Sequence, residues 1–259
     1  RRQVEATQIV QYINNNLLPF NPGINFMVLG DFNIRSVGEQ AYQTMTAVGA
    51  GAARVFDPIN TAGQWGDVGI FRFVHTQDPA TSSGMDDRYD QILCSPSLLN
   101  AQQLDYIGNS SIPYSTSTWN DPNHSTRAWG NDGTSFNNPL TVTGNTMVGA
   151  TIAQAIRNVA TPAGGHIPVY MDIKVPALSA VSATTLNFGT VYQTGTAELS
   201  LTVSNAGNVA LYTAAGIDNL DHSLSASSGF TAPAGSFAAV AGTPGFTHTI
   251  SMNAATVGP

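Results

Sequence analysis

The chain has 259 residues, 42% of them apolar and only 10% charged, which is enough apolar surface for a sizeable core and excludes global disorder. Nine Lys+Arg against sixteen Asp+Glu give a net charge of −7, excluding nucleic-acid binding held mainly by a basic surface. A single cysteine, Cys94, excludes an intramolecular disulfide framework and a cysteine-based zinc cluster, and no apolar run approaches the ~18 residues that span a bilayer.

Val4, Ile9, Val10, Ile13 and Leu17 recur at roughly helical spacing and predict an amphipathic helix over 3–17, ended by Pro19 and Pro22-Gly23. Because Arg1-Arg2-Gln3-Val4-Glu5 already reads as helix interior, the chain is expected to be a piece of a longer product. Residues 24–29 are apolar and flanked by glycine, predicting a buried strand that runs into Gly30-Asp31-Phe32-Asn33. Helix is predicted at 38–48, and strands at 70–74 and 89–93. Cys94, just after Ile92-Leu93, reads as a buried strand thiol rather than a nucleophile. Residues 108–146 are loop-like, 147–159 return to helix, and 167–173 alternate like a strand. Beyond Pro176 come short β-type runs at 186–189, 197–203 and 209–212, with a turn at Asn205-Ala206-Gly207-Asn208 and no helical pattern. The order fits a layered α/β or α+β domain, taken here as α+β, over 1–177 followed by an all-β sandwich over 178–259.

Chemistry is sought where strands end, since loops at those ends carry sites. Asp31 and Asn33 follow the first strand, Asp90 begins another, and His166 precedes a third. Two carboxylates, an amide and an imidazole suit metal-assisted phosphoester hydrolysis, with hard oxygens for Mg²⁺, Mn²⁺ or Ca²⁺. Spacing alone does not assemble them. A lone histidine is more often structural, an Asp-Arg pair is usually solvated, and Gly-Asp is a common turn. His124, Asp86 and Asp87 read as surface residues.

Gly30-Asp31-Phe32-Asn33, Arg88-Tyr89-Asp90-Gln91-Ile92-Leu93 and His166-Ile167-Pro168-Val169 occur in an order that resembles the endonuclease/exonuclease/phosphatase superfamily. His75-Thr76-Gln77, Gly84-Met85-Asp86-Asp87-Arg88 and Trp129-Gly130-Asn131-Asp132-Gly133 look like segments of its bacterial secreted branch. The resemblance implies, for 1–177, the C-terminal half of a four-layer α/β/β/α sandwich. It implies that Asp31 orients or deprotonates water beside the metal and that Asn33 holds a phosphate oxygen. Asp90 would pair with His166, and His166 would stabilise the pentacovalent transition state. His75, Asn131 and Asp132 are further candidates.

Two departures stand out. The family's last motif reads Ser-Asp-His, but Gly164-Gly165 precedes His166 here. The metal-binding glutamate of the family belongs to an N-terminal half that is missing from this sequence, so it would have to be supplied in cis or in trans.

In the tail, Leu186-Asn187-Phe188-Gly189 and Leu199-Ser200-Leu201-Thr202-Val203-Ser204-Asn205-Ala206-Gly207-Asn208 resemble Ig-like modules of bacterial surface and secreted proteins, with relatives in centrosomal and ciliary proteins. The module is expected to be C-terminally incomplete and to act as a spacer or in adhesion. Asp218, Asp221 and His222 read as an exposed acidic loop. The expected function is therefore a secreted or cell-surface, divalent-metal-dependent phosphoesterase acting on a phosphodiester, DNA included. Arg35, Arg72, Arg88 and Arg127 would supply local positive charge. The alternative is a weak or inert binding and adhesion protein built on the same scaffold.

Overall fold

The first predicted helix forms as α1 (Arg2–Tyr12) in the computed structural model, which describes residues 1–160 and 165–254. A π-helical turn, Ile13–Leu17, continues it, and α2 spans Gln40–Thr46. Strand β1 (Met27–Asp31) pairs antiparallel with β2 (Asp90–Cys94). Short strands β3 (Asp105–Tyr106) and β4 (Arg127–Ala128) follow, then α3 (Gly149–Ala160), β5 (Val169–Tyr170) and β6 (Ile173–Lys174). The fold thus mixes helices and sheets, as expected. The chain divides into two compact units, one of Arg1–Ala101 with Asp105–Ile173, the other of Gln102–Leu104 with the chain from Lys174 on.

Three apolar clusters build the first unit. Ala6 of α1, Tyr42 and Met45 of α2, Ile34, Trp65 and Leu93 form one, with Tyr42 and Trp65 edge to face at 5.6 Å. Met85, Leu140, Ile167 and Ala153 and Ile156 of α3 form another, and Ile59, Phe73, Val74 and Tyr114 a third. Buried polar groups tie the clusters together. Arg88 makes two hydrogen bonds to Asp57, 2.7 and 2.9 Å, with both side chains 4% exposed, so this Asp/Arg pair is not solvated. The Arg88 guanidinium also lies 5.1 Å over the Trp65 ring.

Several expectations are corrected. Residues 70–74 form a 3₁₀ helix within Gly69–Val74 rather than a strand. The adjacent pair Phe73 and Val74 is buried while Ile70 is 53% exposed, a pattern that alternation cannot produce. The strand expected at 24–29 starts at Met27 and is not buried: Leu29 is 65% exposed, and β2 is its one strand partner among the described residues. His124 and Asp87 are buried, not on the surface. The long loop needs few strands because side chains satisfy its backbone. Asp121 accepts from the amides of Ser115 (2.7 Å) and Asn123 (2.8 Å), and Asn145 donates to the Gly130 carbonyl (2.8 Å).

The second unit holds a four-stranded sheet in the order β10-β12-β8-β7, built from β7 (Ser179–Val181), β8 (Thr196–Asn205), β10 (Phe230–Thr231) and β12 (Phe246–Asn253). A separate ribbon pairs β9 (Leu220–His222) with β11 (Phe237–Ala239). The predicted run at 209–212 is the helical turn α4 (Val209–Tyr212), because the Asn208 carboxamide oxygen caps the amides of Ala210 and Leu211. Asp218 is not an exposed loop carboxylate. It is buried and accepts the Gln103 amide at 2.6 Å. His222 is half-buried in a strand.

Candidate functional site

Antiparallel register brings the two carboxylates together. Asp31 closes β1 and faces Asp90, which opens β2, as directly paired residues. Their strands are fixed three residues away, where Leu93 of β2 is fully buried in the first cluster. Beyond Asp31 the chain turns sharply. Asn33 adopts φ +49, and the Asp31 Oδ1 atom accepts both the Asn33 amide and its side-chain nitrogen, each at 2.9 Å. This is an Asx turn, and asparagine is among the few residues that tolerate that backbone. Ile34, 1% exposed, then anchors the loop.

His166 arrives from the far end of the unit. Ile167, 2% exposed, is packed beneath α3, and its amide donates to the Thr76 carbonyl at 2.9 Å. His166 is thereby set so that Nδ1 lies 2.6 Å from Asp90 Oδ2. Since the carboxylate accepts, Nδ1 carries the proton and Nε2 is the free pole, 3.9 Å from Asp31 Oδ2. The His166, Asp31 and Asp90 side chains are 32%, 40% and 20% exposed, so the edge is open to solvent. The four principal candidates therefore converge at one place.

Sequence reasoning gave no role to Thr76. Its hydroxyl donates to Asp90 Oδ2 at 2.7 Å and accepts the Asp90 amide at 3.2 Å, so it holds the carboxylate that holds the imidazole. The signal was its place in the quoted His75-Thr76-Gln77 segment.

The three further candidates lie behind this edge. His75 is fully buried, with Nε2 2.8 Å from the Trp65 carbonyl and Nδ1 3.0 Å from that of Met85, and burial pushes its pKa down. Asn131 donates to the carbonyls of Arg72 (2.7 Å) and His75 (2.8 Å), clamping the turn that presents Thr76. Asp132 accepts the amides of Thr134 (3.1 Å) and Thr146 (2.8 Å). Each of the three is engaged with backbone.

The expected arginine patch does not form. Arg88 and Arg127 are buried, the latter donating to the carbonyls of His124 (2.6 Å) and Asp121 (2.9 Å). Arg35 is paired with Asp87 at 2.9 Å, and Arg72 donates to the Gly69 carbonyl at 3.1 Å while lying over Phe73. Cys94 is fully buried, and burial raises its thiol pKa to about 12, in keeping with a structural thiol.

Of the Gly164-Gly165 pair, Gly164 lies outside the described residues. Gly165 has φ +69, and a Cβ there would stand 2.9 Å from the Ala160 Cα and Cβ atoms. A carboxylate at 165 is thus opposed by the backbone itself. Among the described residues no three His, Cys, Asp or Glu side chains are grouped to hold a metal. The local donors are Asp31 Oδ2 and the Asn33 side-chain oxygen, both hard; this suits Mg²⁺, which commonly takes one or two carboxylates and fills its shell with water and phosphate oxygens. A scan against family models, a search of curated proteins and a search of solved structures each returned no match. No helix among the described residues is long and apolar enough to cross a membrane.

Proposed function

We propose that this chain carries the phosphate-handling edge of a divalent-metal-dependent phosphoesterase. The observation that carries the reading is the Asp90–His166 hydrogen bond of 2.6 Å, with the opposite pole of the ring turned toward Asp31. Asp31 Oδ2 and the Asn33 side-chain oxygen would hold Mg²⁺, with Mn²⁺ or Ca²⁺ as substitutes. The bound ion supplies charge neutralisation on the phosphoryl oxygens.

Asp31 orients the attacking water and takes up its proton as the water oxygen bonds to phosphorus. The ester P–O bond opposite breaks, and the leaving oxygen is protonated from solvent. His166, aimed by Asp90 and Thr76, donates from Nε2 to a phosphoryl oxygen in its imidazolium form, with both ring nitrogens protonated, as negative charge grows on that oxygen. Asn33 contacts another phosphoryl oxygen. The remaining acidic metal ligand would come from outside residues 1–259, in the half of a four-layer sandwich that the sequence resemblance implies. The second unit is read as an Ig-like module of a secreted or surface protein. DNA is one candidate phosphodiester.

The test is Mg²⁺-dependent hydrolysis of bis-p-nitrophenyl phosphate and plasmid DNA by the complete gene product. Asp31→Ala and His166→Ala should each lower the rate by about 10²–10⁴-fold. Variants that hydrolyse as fast as the parent overturn the proposal. A specific feature favours the alternative, an inert binding scaffold: no three His, Cys, Asp or Glu side chains are grouped to hold a metal among the described residues. A parent with no turnover of either substrate selects that alternative.

A further inference from the structure

The second unit contains a polar pair that the phosphoesterase reading does not use. His222 lies on β9 of the two-stranded ribbon and His248 on β12 of the four-stranded sheet, and their Nε2 atoms are 3.0 Å apart. His248 is 3% exposed. Phe237 of β11 and Phe246 of β12 complete a four-ring box, with the Phe237 and His248 centroids 4.5 Å apart and those of Phe237 and His222 at 5.4 Å.

The hydrogen-bond directions are fixed by chemistry. The Leu220 carbonyl only accepts, so the His222 Nδ1 atom, 3.3 Å away, carries a proton. His222 Nε2 then presents a lone pair, and His248 Nε2–H donates to it. This bond exists only while His222 is neutral. A proton on His222 Nε2 sets two N–H groups head to head, and a proton on His248 Nδ1 puts a charge on a ring that is 3% exposed.

Among the described residues no counter-charge faces the pair. Asp221 alternates to the other side of β9. Glu198 of β8 is bonded to Ser251, on the opposite face of β12 from His248. Asp218 is engaged with Gln103, and β7, β10 and β11 carry no ionisable side chain. Burial, and to a lesser degree His222, push the pKa of His248 down. No third His, Cys, Asp or Glu joins the two imidazoles among the described residues, which favours a proton over a metal ion as the agent that acts on them.

We propose that His222 and His248 form a proton-operated clasp, holding the β9–β11 ribbon to the β8–β12 sheet at neutral pH and releasing it in acid, which uncovers Phe237. The sign follows from the neutral pair. The folded state resists protonation that the unfolded chain accepts, so stability is full above the ordinary histidine value of 6.5 and declines as pH falls below it.

Hydrogen exchange of the full chain, corrected for intrinsic rates, tests this at peptide resolution. Exchange at Leu220–His222 and Phe237–Ala239 should accelerate at least tenfold, roughly one pKa unit's worth, between about pH 7 and pH 5. In His248→Gln, which can still hydrogen bond but does not titrate, that acceleration should disappear. Should the variant fold poorly, imidazole ¹⁵N shifts in the parent serve instead, with His248 expected to stay neutral below its ordinary range until the ribbon opens. Equal acid acceleration in parent and His248→Gln, a ribbon that keeps its protection at pH 5, or His248 titrating at its ordinary value would each overturn the clasp.

Discussion

Thr76 and Gly165 show how much of the candidate site depends on residues that touch no substrate. Thr76 fixes Asp90, which fixes His166, so Thr76→Val should lower kcat for phosphodiester hydrolysis between about ten- and a hundredfold while leaving KM nearly unchanged. Thr76→Ser keeps the hydroxyl and should restore most of the rate; a Ser variant as slow as Val would show that the hydroxyl is not what matters. Gly165→Asp, which installs the aspartate that the sequence resemblance implies there, is expected not to raise activity. Its Cβ meets Ala160 in a left-handed backbone, so the variant should melt below the parent in a thermal scan. Asp31, Asn33, Asp90 and His166 were legible in the sequence because each lies near a predicted strand end, within the segments that carry the resemblance. Thr76 was not, because a threonine bonded to a carboxylate fourteen residues away leaves no local pattern.

Among the elements, the β1–β2 register and its support behind Arg88 decide where the carboxylates stand. Arg88 and Asp57 are a buried pair, and Arg88→Ala would strand an uncompensated carboxylate. We expect a loss of about 3–5 kcal/mol in chemical denaturation, against a smaller loss for exposed Arg1→Ala. The sequence placed α1, α2 and α3 to within a few residues because apolar spacing and the neighbouring prolines and glycines mark them. It misread 70–74 and 209–212, where tertiary packing of Phe73 and Val74 and a cap from Asn208 overrode apparent β character. It also took polar loop residues such as His124 for surface. That ring is buried: Nε2–H donates to the Ile112 carbonyl at 2.9 Å, and Nδ1 is 3.2 Å from the Tyr106 hydroxyl. Burial holds its pKa below 6.5, outweighing the opposite pull of Asp121. Protonation therefore favours the unfolded chain, and the melting temperature of the parent should fall as pH drops below about 6.5, with a smaller fall in His124→Gln.

For the whole molecule, charge limits how nucleic acid could be held. The net charge is −7, and the four arginines expected to form a patch are engaged with carboxylates, carbonyls or rings. Without divalent cation, binding to duplex DNA at physiological salt should be weaker than about 10⁻⁴ M, beyond the usual non-specific range, when followed by fluorescence anisotropy. Tight, steeply salt-dependent binding in EDTA would instead reveal a basic surface elsewhere.

A crystal of the complete gene product soaked with Mn²⁺ and a non-hydrolysable phosphodiester would look at the proposed chemistry most directly. We expect an anomalous peak about 2.0–2.2 Å from Asp31 Oδ2, with a phosphoryl oxygen within hydrogen-bonding distance of His166 Nε2. Mn²⁺ and phosphate bound elsewhere, with Asp31 and His166 left in contact only with water, would contradict it.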